Sequence, residues 1–89
     1  MATVFQTIYV GNLPYYITER EVRKLFRPYE PVHSIAMITD KEGYPQGYAF
    51  VELGKFMAEM AIGDLNNKKI CGRNLRISKA LGRDNVKAG

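Results

Sequence analysis

Two periods of hydrophobicity take turns along the chain and predict strands and helices in alternation. Between Gln6 and Val10 the aliphatic Ile8 and Val10 occupy every second position, so they share one face of a strand and Tyr9 stands on the other. A Gly11-Asn12-Leu13-Pro14 turn follows. Thr18 opens a capping box with Glu21, in which each side chain is placed to bond the other's backbone N–H. The helix it starts runs to about Arg27, where Pro28 stops it. Val22, Leu25 and Phe26 fall on one face of this helix, and Arg20, Arg23, Lys24 and Arg27 lie largely elsewhere.

Alternation returns from Val32 to Thr39, with Ile35 and Met37 on one side and Ser34, Ala36 and Ile38 on the other. Asp40 to Gln46 is a polar loop with Gly43 and Pro45 as turn residues, and Gly47 to Leu53 is a third strand. Ala58, Ala61, Ile62 and Leu65 sit at i, i+3, i+4 and i+7 of a second helix over about Lys55 to Asn66. Gly63 weakens that helix by about 1 kcal/mol relative to Ala, and Asn66-Asn67 reads as its stop. Lys68 to Asn74 reads as a turn region, with Lys68-Lys69 a solvated pair and Cys71 a small, partly buried turn residue. Leu75 to Lys79 is a last strand, Leu75 and Ile77 inward, Arg76 and Ser78 outward.

The order is β-α-β-β-α-β, an α+β, ferredoxin-like arrangement: a four-stranded antiparallel sheet with both helices on one face. The other face is then open, and its residues are unusual for a surface that meets water. In Gly47 to Leu53, Ala49 and Val51 point to the helices, so Tyr48, Phe50 and Glu52 point away, as Tyr9 does. Rings displayed on that side suggest a platform for flat, polar ligands such as nucleobases.

Charge supports such a partner more by its distribution than by its total. The chain has 89 residues and a formal net charge of +4. Residues 1–67 carry more acidic than basic side chains, whereas residues 68–89 carry Lys68, Lys69, Arg73, Arg76, Lys79, Arg83 and Lys87 against Asp84 alone. That asymmetry points to a polyanion near the last strand and the basic stretch after it. Other functions lose support. The only cysteine, Cys71, and the only histidine, His33, make neither a disulfide framework nor a zinc ligand set. No apolar run approaches the roughly 18 residues of a membrane span. Neither a nucleophile–base pair, a paired-carboxylate cleft nor a phosphate-binding glycine loop is present, so no catalysis and no cofactor are expected.

The two aromatic runs carry a family resemblance. Gln46-Gly47-Tyr48-Ala49-Phe50-Val51-Glu52-Leu53 resembles the octamer signature of the RNA-recognition motif (RRM) family, and matches it from Gly47 to Val51. Ile8-Tyr9-Val10-Gly11-Asn12-Leu13 is similar to the family's second signature throughout. The octamer departs at both ends, where Gln46 stands in place of a basic residue and Leu53 in place of an aromatic. The resemblance covers residues 6–80, read as the domain, and leaves 81–89 as a short basic tail.

The resemblance implies the strand order 4-1-3-2, which sets the two signature strands side by side. It implies that Tyr9 and Phe50 stack neighbouring bases and that Tyr48 packs against the sugars between them. Asn12, Arg76, Ser78 and Lys79 are candidates for base and phosphate contacts, with Gln46 a weaker, uncharged substitute for the usual phosphate partner. The expected partner is single-stranded RNA, with single-stranded DNA not excluded by stacking alone; the expected state is a monomer, with no membrane association. Two other functions use the same fold: a protein-interaction module, and a small ferredoxin-like enzyme or metal carrier, for which one cysteine is too few. Met1 with almost no leader favours a complete protein similar to the single-RRM proteins of bacteria, found in the cytoplasm; the alternative is a module of a larger eukaryotic splicing or mRNA-processing factor, which would be nuclear.

Overall fold

The computed structural model describes residues 4–80. Strands β1 (Phe5–Gly11), β2 (Val32–Thr39), β3 (Pro45–Gly54) and β6 (Arg76–Lys79) form one sheet, with helices α1 (Glu19–Leu25) and α2 (Lys55–Leu65) in the two crossovers. The sheet order is β2-β3-β1-β6 and every pairing is antiparallel. The two strands with the signature sequences are therefore central and adjacent, as the family order requires. The proposed tail, residues 81–89, lies outside the described residues.

Alternation places the core on one side of the sheet. Ile8, Val10, Ala49, Val51 and Leu53 are fully buried there, against Val22 and Phe26 on the α1 side and Ala58, Ala61 and Leu65 of α2. Alanine at the contact positions of α2 lets its backbone lie close to the strands, because interaxial distance follows the size of the side chains between elements. Leu75 and Ile77 close the core beside β1.

The capping box forms as the sequence predicts. The Glu21 N–H donates to Thr18 Oγ1 at 3.2 Å and the Thr18 N–H donates to Glu21 Oε1 at 3.0 Å. The end of α1 differs from expectation. The helix stops at Leu25, and Pro28 sits inside a 3₁₀ turn, Arg27–Tyr29, instead of terminating the α-helix. Proline's missing N–H is harmless in a first turn, where it would have no helical partner. The turn carries Tyr29 into the core, where its hydroxyl donates to Asp64 of α2 at 2.8 Å.

At the end of α2, Asn66 caps the helix and Asn67 takes a left-handed conformation, φ 70°. The stop also anchors the last sheet strand: Asn66 Oδ1 accepts from the Ile77 N–H at 3.0 Å, and the Asn67 N–H donates to the Leu75 carbonyl at 2.8 Å.

The region read as a plain turn contains a small hairpin, β4 (Lys69–Ile70) with β5 (Arg73–Asn74). Its two-residue tip, Cys71-Gly72, has φ of 50° and 80°, the left-handed pair that matches strand twist in a tight hairpin. Cys71 is exposed, not partly buried, because the tip projects from the sheet. The third strand starts at Pro45, two residues earlier than expected. Thr39 pairs with Pro45 while Met37 pairs with Ala49, so β3 bulges between them.

Burial raises the Tyr29 phenol above its usual pKa of 10.0, and its hydrogen bond to Asp64 and the carboxylate's charge act in the same direction. The folded state thus favours the neutral phenol. That stability is complete below pH 10 and is lost as the pH rises through the raised value. Tyr29→Phe is expected to lower stability by about 1 kcal/mol at pH 7. In urea titrations the gap between wild type and Tyr29→Phe should stay constant up to about pH 10 and narrow above it.

Candidate nucleic-acid interface

Pairing of the two central strands decides which side chains meet on the open face. Tyr9 lies directly opposite Phe50, with Ile8 opposite Val51 and Val10 opposite Ala49 on the buried side. Tyr48 is two residues from Phe50 and shares its face. The three rings form one group: centroids are 5.6 Å apart for Tyr9–Tyr48, 6.1 Å for Tyr9–Phe50 and 5.9 Å for Tyr48–Phe50. All three are half-buried, outside the core, and mutually tilted or edge-on.

A glycine sets the posture of Tyr9. Gly11 follows it on the same face, and a Cβ there would overlap the Tyr9 phenol ring. The bare backbone lets the ring lean along the strand over Gly11. Next to the rings, Glu52 accepts from Ser34 Oγ at 3.3 Å and lies 3.9 Å from His33 Nε2. His33 sits on the exposed edge strand, stacked on Phe5 with centroids 4.6 Å apart.

Beyond Tyr9 and Tyr48, toward the end of β1, lies an open cleft of about 460 Å³, lined by Asn12, Gln46, Gly47, Arg73 and Arg76 in addition to the two tyrosines and Leu13. Its volume falls within the range of small-ligand sites. Among the described residues no carboxylate lines it, whereas two guanidiniums do. Gly47, at φ 83°, turns its carbonyl to accept from the Leu13 N–H at 2.9 Å, which ties the start of β3 to the turn after β1. Only glycine takes that φ without strain.

A family model described as the RNA recognition motif matches residues 8–76. The chain belongs to that family. Among its relatives, RbpD of Nostoc sp., named as a presumptive RNA-binding protein, is 40% identical over 85 residues, spanning 93% of this chain and 90% of RbpD. The crystal structure of RNA-binding protein PG1 superposes with a TM-score of 0.81 at 38% identity, over 85% of this chain and 94% of that one. The structure of the Rna15 RRM with bound RNA (GU) superposes with a TM-score of 0.77 at 28% identity, over 84% and 82% of the two chains. Family and relatives make this chain an RRM-type RNA-binding protein and not an enzyme.

In this RRM, Tyr9, Tyr48 and Phe50 come together as the sequence predicts, and so do Arg76 and Ser78. Arg76 lies opposite Gly11 and Ser78 opposite Tyr9, both exposed on the open face. Lys79 does not join them. It is paired opposite the core residue Ile8, so at the sheet edge it belongs to the helix side. Gln46 lines the cleft, its amide donating to the Tyr44 carbonyl at 3.3 Å. Asn12 lines it too, but its amide is engaged: Nδ2 donates to the Asn74 carbonyl at 2.8 Å, and Oδ1 accepts from Arg73 at 2.6 Å.

Arg73 is the site residue that sequence reasoning missed. It entered only as one of several C-terminal cations, and nothing local in the sequence says that the hairpin folds back on Asn12. Tyr15 and Tyr16 form an exposed edge-on pair on the turn before α1, with centroids 5.8 Å apart. The neighbouring Cys71 side chain raises the Tyr16 phenol above its usual pKa.

Gly11→Ala is expected to leave the fold intact, lowering stability by about 1 kcal/mol or less, because the obstructing atoms are the movable end of a side chain. The Tyr9 ring must swing away. NMR should show altered Tyr9 and Tyr48 ring resonances and loss of their ring–ring contact; unchanged ring signals would contradict this account of Tyr9's posture.

Proposed function

We propose that this RRM binds single-stranded RNA by stacking bases on Tyr9 and Phe50, with Tyr48 against the intervening sugars, as a monomer and without catalysis. The observation that carries the reading is the cluster of three half-exposed rings within about 6 Å of one another on the helix-free face of the sheet. A single strand can splay its bases onto such a surface, which a duplex cannot. The bound RNA in the Rna15 RRM, a structural relative over most of this chain, supports the same class of ligand here. Arg76 and Ser78 beside Tyr9 supply polar contacts along the strand, and Gln46 supplies an uncharged one. A site of about three or four nucleotides follows, with affinity near the micromolar range, after the cost of ordering a flexible strand. The biological role that fits is post-transcriptional: an RNA-binding regulator or chaperone.

Fluorescence anisotropy with random 8-mer RNA tests the reading. Phe50→Ala and Tyr9→Ala should each weaken binding by about 1–3 kcal/mol, the worth of one base stack. The salt dependence, log K against log salt, should have a slope of about −1.5 to −3 for two to four neutralised phosphates. Equal affinity of wild type and Phe50→Ala would rule the platform out, and a DNA 8-mer of the same sequence measures how much the 2′-hydroxyl contributes.

A further inference from the structure

The cleft at the end of β1 holds an arginine whose plane is fixed before any ligand arrives. Arg73 Nε donates to the Asn12 carbonyl at 3.2 Å and its Nη2 donates to Asn12 Oδ1 at 2.6 Å. Asn12 is itself held, by its Nδ2 bond to the Asn74 carbonyl at 2.8 Å and by a left-handed backbone, φ 59°. Asparagine tolerates that conformation better than most residues. The side edge of the guanidinium is thus occupied, and the group cannot rotate without breaking two bonds. The terminal edge, with one N–H on each Nη, makes no hydrogen bond among the described residues, and no carboxylate lines the cleft to neutralise it.

We propose that Arg73, positioned by Asn12, is a base-reading residue of this cleft, and that its free fork favours guanine or cytosine over adenine or uracil in the bound strand. This rests on the reading that the open face binds single-stranded RNA. Arginine offers donors only, in a planar fork. The fork fits a base edge with two adjacent acceptors. Guanine presents O6 and N7 in that way, and cytosine presents O2 and N3. Adenine sets its amino donor beside N1 and N7, and uracil sets N3–H between its two carbonyls, so each would put a donor against a donor. A phosphate also offers paired oxygens. The planar fork suits it equally, so what favours a base in this cleft is the ring surface that lines it. Tyr9 and Tyr48 in the cleft wall provide the ring surface beside which such a base would lie.

The test uses the full chain and labelled 8-mer RNAs made of A and U, each compared with its counterpart carrying one central G or C. Affinity for the A/U strand reports the platform, and the increment from G or C reports Arg73. The expected increment is about 5- to 100-fold for at least one of the two bases. Replacing that base by 7-deazaguanine, or by 3-deazacytosine, should return affinity to the A/U level. Arg73→Lys keeps the charge and loses the fork, so it should abolish the increment, with a larger loss for the G or C strand than for the A/U strand. Asn12→Gly accepts the positive φ and frees the guanidinium; the increment should fall, with a larger loss for the G or C strand than for the A/U strand. An absent increment in wild type, or one that survives in Arg73→Lys or in the deaza strands, would overturn the proposal. So would an equal loss for every sequence in Arg73→Gln with a salt slope shallower by about 0.7, the mark of a phosphate contact. Failure of wild type to bind any 8-mer would overturn the RNA reading together with this one.

Discussion

The register between β1 and β3 is the constraint on which the rest depends. With Tyr9 opposite Phe50, each of these strands sends aliphatic side chains to the helices and rings to the open face. A shift of one residue would exchange the two sets, because side chains alternate with a period of two. Ile8, Val10, Ala49 and Val51 are fully buried, and exposing four such residues would cost several kcal/mol, at about 1.5–3 kcal/mol for each large aliphatic. The core therefore holds the platform in place: hydrophobic burial on one side of the sheet fixes where rings stand on the other.

Two backbone positions with positive φ connect that sheet to its polar margin. Gly47 bends β3 so that its carbonyl meets the Leu13 N–H, and Asn12 turns the chain at the end of β1 so that its side chain meets the β4–β5 hairpin. Both residues belong to the signature segments. Their part is to shape the cleft, while Tyr9 and Tyr48 of the same segments line it. Three of the basic residues in 68–89 are thereby sorted. Arg73 and Arg76 reach the cleft, and Lys79 lies at the edge on the helix side. Net charge alone treats them as equal, although their positions give them different work.

Much of the fold was legible before any coordinates. The capping box at Thr18 and Glu21, the two periodicities and the Asn66-Asn67 stop are local signals, read from residues within a few positions of one another. What failed was local as well, but ambiguous. Pro28 suits both the end of an α-helix and the first turn of a 3₁₀ helix, and only the burial of Tyr29 against Asp64 selects the second. Cys71-Gly72 lacks the usual turn composition of a two-residue hairpin, so β4 and β5 were not foreseen.

By itself the sequence determined which residues lie on which face of β1 and β3, that the faces differ in character, and that rings occupy the one without helices. Those properties follow from side-chain alternation and need no knowledge of what pairs with what. Tertiary structure decided the rest: that Tyr9 and Phe50 stand opposite each other, that Lys79 turns to the helix side, and that Arg73 is gripped by Asn12 from 61 positions away in the chain. Contacts across such separations depend on how the strands are ordered and where each loop returns. A pattern of neighbours along the chain carries no distance between them in space.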